Sequence, residues 1–79
     1  MTAAGTDDKR GFLEEAIKAF GAAIAMKQDE PKYLVSRANA YLQIKDLAKA
    51  QSDMESAIAL APDNIDLLIQ KAKIVAQAA

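Results

Sequence analysis

Several residue types are absent from this 79-residue chain or scarce in it. It has no Cys and no His, which excludes disulfides and thiolate metal sites and removes the commonest general base of enzymes. Gly and Pro number only 3 and 2. Aromatic residues make up 5% and β-branched residues are few, so a strand-rich fold is disfavoured. The net charge of -1 gives no basic excess, which argues against a nucleic-acid partner.

Long apolar runs are absent too. The longest unbroken ones span five residues, such as Ala22 to Met26, far short of the roughly 20 that a membrane-spanning helix needs. The opening residues, MTAAGTDDKR, lack a basic region followed by an apolar stretch, so we expect no secretory signal. We therefore expect no membrane partner and a cytoplasmic location.

No group of residues suggests catalysis. The serines have no neighbouring base to activate them, and the three glycines are isolated rather than grouped in a phosphate-binding loop. Adjacent acids occur at predicted helix starts, where capping and solvation account for them: Asp7/Asp8, Glu14/Glu15 and Asp29/Glu30. We predict no catalytic residues, no metal ligands and no cofactor. An enzyme would need a metal or cofactor that the sequence does not indicate.

The composition that remains favours helices. Ala, the best helix former, supplies 18 of the 79 residues, and apolar residues recur at three- and four-residue steps. Pro31, Asp46 and the segment 62–64 interrupt this periodicity as helix starts and breaks do. We predict an all-α fold of antiparallel helix–turn–helix units, with helices at about 11–27, 31–44, 47–60 and 64–78. Residues 1–10 are predicted to be a flexible tail and 11–79 a single domain.

The apolar periodicity also predicts which residues form the core. In the second and third helices the predicted core includes Leu34, Ala38, Ala50 and Met54, and Met26 is expected in the core as well. The last helix is apolar on more than one side. Its predicted core face is Ile65, Leu68, Ile69, Ala72, Val75 and Ala76, with Leu67 and Ile74 on a stripe beside it.

The chain repeats itself with a period of 34 residues. Identical residues recur at this spacing in every predicted helix, and conservative pairs such as Arg37 and Lys71 lie between them. Such a period indicates stacked copies of one helical hairpin. The identical pairs include Leu13/Leu47, Ala16/Ala50, Ala23/Ala57, Ile24/Ile58, Asp29/Asp63, Leu34/Leu68, Ala38/Ala72 and Gln43/Gln77.

The repeat resembles the tetratricopeptide family, whose units are 34-residue helix–turn–helix hairpins. The segment 34–41 is similar to that family's first helix, Ala50, Met54 and Ala57 to its second helix, and the segment 60–64 to its ending. Arg37 and Lys71 stand where the family usually has leucine. The resemblance covers about residues 11–79 and implies a phase of second helix, full hairpin and first helix: one whole repeat with a half repeat on each side.

The resemblance implies a non-catalytic scaffold that binds a protein or peptide on a concave face lined by the first helices of successive repeats. Spacings of three and four place two polar sets on single helix faces. Asn39 is the best single candidate, because an amide both donates to and accepts from a peptide backbone. An ordinary solvated helix face is the alternative. The candidate groove residues are Lys32, Ser36, Asn39, Gln43, Asp66, Gln70, Lys73 and Gln77.

One subtype of the family grips the carboxylates of chaperone tails with Asn on one repeat and Lys and Arg on the next. The matching positions here hold Ser36, Asp66 and Gln70, and an acid would repel a carboxylate. We predict no such carboxylate clamp.

The phase also predicts apolar surface at the ends of the domain. The alternative function is therefore a structural module, whether natural, excerpted or engineered, that forms homo-oligomers by end-to-end stacking or helix exchange. The residues predicted to mediate self-association are Leu67, Ile74 and Val75.

Overall fold

A computed structural model shows four α-helices joined by short loops, and it describes the backbone of residues 2–78 and the side chains of residues 9–78. The helices are α1 (Thr2–Met26), α2 (Pro31–Gln43), α3 (Leu47–Leu60) and α4 (Ile65–Ala78). No strand occurs within the described backbone. The all-α class is confirmed, and every predicted helix end except the first agrees with the structure to within one residue.

Helix α1 begins nine residues earlier than the predicted start near Gly11. The early segment lacks apolar periodicity, but it also lacks proline, and Ala3 and Ala4 favour helix. The helix continues through Gly11, where an added Cβ would meet nothing within 4 Å, so no tertiary contact requires glycine there. The division of the chain into a flexible tail and a domain at residue 10 stays a prediction.

The loops are fixed by the residues that interrupt the periodicity. Pro31 occupies the first turn of α2, and the carboxylate of Asp46 accepts a hydrogen bond from the Lys49 backbone N–H at 3.2 Å, which caps α3. The Asn64 side chain accepts one from the Asp66 N–H at 3.1 Å before α4. These interactions account for the sharp helix ends.

Helix α2 is followed by its C-cap, Ile44, and then by a left-handed residue, Lys45, whose φ is 69°. The Lys45 N–H donates to the Leu42 carbonyl at 3.0 Å, and the Asp46 N–H donates to the Tyr41 carbonyl at 2.9 Å. This is the Schellman arrangement, in which a left-handed residue after the helix satisfies the last carbonyls. Lysine adopts the conformation less easily than glycine, so this turn is strained.

Each helix packs against its neighbours in the chain, α1 on α2, α2 on α3 and α3 on α4. Met54 of α3 is 1% exposed and lies at the centre of the core. Alanines at the helix contacts allow the backbones to approach closely, since Ala38, Ala50 and Ala57 are fully buried. The buried cluster comprises Leu34, Ala38, Ala50, Met54, Ala57, Leu67 and Ile74.

The predicted orientation of α4 is wrong. Leu67 and Ile74 are buried at 5% and 2% exposure, because they face α3 two helical turns apart. The residues predicted for the core face are instead exposed: Ile65, Leu68, Ile69, Ala72, Val75 and Ala76. No described helix covers this second side of α4. Met26 is also exposed, at 84%, contrary to the prediction that it lies in the core.

Candidate functional site

A cleft opens between the beginnings of α2 and α4. Its volume is about 430 Å³. Val35 and Leu67 give it an apolar floor, and Lys32, Ser36 and Asn64 supply polar groups at its walls. An apolar floor with a few polar groups is the usual composition of a ligand-binding cleft. We call this the α2/α4 cleft; its remaining lining residues are Glu30 and Pro31.

Two of the eight predicted groove residues, Lys32 and Ser36, line this cleft. The structure does not bring all eight together, because the other six lie outside the lining. Asn39 and Gln43 continue along α2 as exposed residues. On α4, Gln70 is half-buried, and the exposed residues are Asp66, Lys73 and Gln77.

The groove residues retain free hydrogen-bonding groups. Among the described residues, the side chains of Ser36, Asn39, Gln43 and Gln70 make no hydrogen bond to another part of the chain. The Lys32 ammonium lies 5.3 Å from the centre of the Tyr33 ring, within cation–π range. This surface can therefore donate to and accept from a bound chain without first breaking internal bonds.

The sequence analysis did not anticipate an ion pair between α2 and α3. The Arg37 guanidinium donates two hydrogen bonds of 2.7 Å to the two carboxylate oxygens of Asp53. These hydrogen bonds raise the pKa of Arg37 above its ordinary value, outweighing the lowering effect of burial. The only feature of the sequence that pointed to this ion pair was Arg37, which stands at a position where the related family has leucine. Its partner lies 16 residues away and depends on the rotation of both helices.

This ion pair borders a second cleft, between α1 and α3, with a volume of about 490 Å³. Its lining includes Ile24 of α1, Gln28 of the loop after α1, and Ser56 and Leu60 of α3. No predicted groove residue lines this cleft.

The three predicted self-association residues are separated by the rotation of α4. Leu67 and Ile74 contribute to the core of the chain itself, so they are not on the exposed apolar side. Val75 is 44% exposed and lies beside Leu68, at 47%, and Ile69, at 48%. The exposed apolar side of α4 therefore does not include Leu67 and Ile74, two of the three residues predicted to mediate self-association.

Among side chains 9–78, no three acidic residues group closely enough to hold a metal ion. None of the four helices, over the described residues, is both long and apolar enough to cross a membrane.

Comparison with known proteins agrees with the fold. No curated protein matches the chain. Residues 31–64, which comprise α2, α3 and the loop after them, match the family model of the tetratricopeptide repeat. The matched segment has the family's 34-residue length, and α1 and α4 pack against it as neighbouring half-hairpins would. Together with the four-helix architecture, this match supports a tetratricopeptide-like repeat fragment.

Proposed function

We propose that the chain is a non-catalytic scaffold that binds an extended protein or peptide segment along α2 and α4. The observation that carries the proposal is the α2/α4 cleft, with Val35 and Leu67 as an apolar floor beside the polar side chains of Lys32 and Ser36. A partner's apolar side chain would enter the cleft. Its backbone would then hydrogen-bond to amides such as Asn39.

The charge of the surface suits a partner without a strong net charge. The eight groove residues carry two cations, Lys32 and Lys73, and one anion, Asp66, and the others are neutral. Neutral amides and hydroxyls recognise a peptide backbone, which every extended segment presents. These hydrogen bonds would therefore contribute to affinity, and the shape of the cleft would contribute more to selectivity than charge.

A random-sequence peptide library selected against the immobilised chain tests this function. Enriched peptides should bind Lys32→Ala and Asn39→Ala chains about tenfold more weakly, since each variant removes a polar contact at or beside the cleft. Lys18→Ala on α1 is the matched control, because Lys18 is exposed and lines neither cleft. Peptides that ignore both groove variants but fail to bind a Ser56→Trp chain would place the binding surface in the α1/α3 cleft instead.

The absence of a carboxylate clamp is part of the proposal. Asp66 is exposed at the start of α4, at a position where a clamp would need a cation. We expect no measurable binding of an acidic chaperone-tail peptide by calorimetry at about physiological ionic strength. Micromolar binding would contradict this, and Asp66→Lys should create or strengthen such binding.

Self-association is a second candidate function, favoured by the exposed apolar side of α4. Ile65, Leu68, Ile69 and Val75 are each more than 40% exposed. Contiguous apolar surface of this kind marks interaction sites. A molecular mass that stays at one chain across a wide concentration series would contradict this second function.

A further inference from the structure

The 34-residue repeat shows which kind of helix would cover the exposed side of α4. Each position in α4 has a counterpart 34 residues earlier in α2. Leu34 is 6% exposed against α3, whereas its counterpart Leu68 is 47% exposed. The same loss of burial occurs from Ala38 to Ala72 and from Tyr41 to Val75. We call Leu68, Ala72 and Val75 the α4 face. The helix missing from it is one of the α3 type.

Helix α1 is of this type, and the matching side of it is open. Ala50, Asp53, Met54 and Ala57 of α3 are all buried. Their counterparts in α1 are less buried, since Ala19 is exposed and the other three are half-buried. We call these four counterparts the α1 face: Ala16, Ala19, Phe20 and Ala23. It is the side on which α1 would contact a helix of the α2 type.

The two faces keep the size pattern of the interface between α2 and α3. In that interface the fully buried alanines Ala38 and Ala50 allow close approach, and the counterparts Ala72 and Ala16 are alanines too. The large residue Met54 is matched by Phe20 in α1. The counterpart of Asp53 is Ala19, so docking would bury no unpaired carboxylate. A helix that carries the α1 face therefore fits the α4 face.

We propose that α1 of a second copy packs on the α4 face in the position that α3 holds on α2, so that copies stack head to tail. The inference rests on the self-association proposed above and specifies its geometry. The contact joins two different surfaces, so each added copy presents an open α4 face again. Successive stacking would place the α2 and α4 helices of each copy along one side and lengthen the proposed groove.

Substitutions at Ala19 test the proposed contact in both directions, because one should strengthen the association and another should weaken it. Lys71 is the counterpart of Arg37, so in the stacked pair Ala19 of one copy faces Lys71 of the other as Asp53 faces Arg37. The Lys71 ammonium already lies 3.4 Å from the Glu55 carboxylate of its own chain, so Ala19→Asp should add a second carboxylate beside it and lower the dissociation constant by up to about tenfold. Ala19→Lys should place like charges together and weaken association by a similar factor. The readout is sedimentation equilibrium across a concentration series.

A mixing experiment tests whether the contact is head to tail. Leu68→Glu weakens the α4 face, and Ala19→Lys weakens the α1 face of the other chain. At a concentration near the dissociation constant of the unmodified chain, each variant alone should remain largely a monomer. An equal mixture should form a dimer that grows no further, since one intact face of each kind remains. The control is Ala25→Lys, whose counterpart Ala59 is exposed in the repeat. It should associate as the unmodified chain does.

Three outcomes would overturn the inference. Undiminished association of the Ala19→Lys chain would mean that α4 pairs with itself or that another surface is used. Association of the unmodified chain without complementation in the mixture would exclude the head-to-tail arrangement but leave self-association standing. A strict monomer would overturn both. Circular dichroism of each variant separates lost association from lost folding, because both substituted positions are exposed.

Discussion

Removing the Asp53 carboxylate should destabilise the chain severely. The Asp53 side chain is 7% exposed, and it accepts both hydrogen bonds of the Arg37 guanidinium. Loss of one partner of a buried ion pair costs about 3–5 kcal/mol. Because Arg37 is 25% exposed and can gain water, we expect Asp53→Ala to lower the free energy of unfolding by about 2–3 kcal/mol. A domain of this size has only about 4–12 kcal/mol in total.

The double variant separates the ion pair from the packing around it. Arg37→Leu combined with Asp53→Ala removes both charges and leaves neither group unpaired. We expect its stability to return to within about 1 kcal/mol of the unmodified chain, because replacing both partners of a buried pair with apolar groups is often neutral. Such a recovery would show that Asp53→Ala loses stability because it leaves the Arg37 guanidinium without its ion-pair partner.

The measurement is urea unfolding followed by far-ultraviolet circular dichroism, at several pH values. The pKa of Arg37 is raised in the folded chain, so its stabilising contribution is fully present below the ordinary arginine range and is lost only as the pH rises through the raised pKa. The loss caused by Asp53→Ala should therefore be constant between about pH 6 and 9. A loss below about 1 kcal/mol, or a double variant as unstable as the single one, would refute the reasoning.

Substitutions at three further positions test the fold. Lys45→Gly should stabilise the chain by about 1 kcal/mol in thermal unfolding, because glycine adopts the left-handed conformation without strain; an unchanged midpoint would contradict this. Met54→Ala should cost about 2–5 kcal/mol in urea unfolding, whereas Met54→Leu should cost less than about 1.5, and equal losses would argue against a packed core at this position. Asp46→Ala should cost about 1 kcal/mol through the lost cap of α3, whereas Asp46→Asn should retain most of it.

The sequence predicts the helices well because their ends are chemically explicit. Pro31 can only begin a helix, Asp46 caps the next one, and the 34-residue period fixes how the hairpins repeat. The start of α1 has no such signal. Periodicity is absent from residues 2–10, yet nothing in them prevents a helix, and the structure continues α1 to Thr2.

Apolar periodicity alone does not predict which side of α4 packs against α3. Periodicity identifies residues that share a face, but it does not say which neighbouring helix is present to cover that face. The apolar periodicity of α4 places Leu68 on the predicted core face, yet the helix that would bury it is not among those described. Ion pairs such as Arg37–Asp53 are not predicted from the sequence for a related reason, because they depend on how two helices are rotated relative to each other.

Helix α3 joins α2 to α4 through the core. The residues that set the distance between the two cleft walls therefore lie outside the proposed binding surface. The walls of the α2/α4 cleft belong to two helices that each pack on α3. The buried cluster around Met54 connects these helices within the core. A change of side-chain volume at Met54 should therefore change the spacing of the cleft walls, although Met54 does not line the cleft. The size of side chain that fits the cleft should then change without any substitution on the surface proposed to bind a partner.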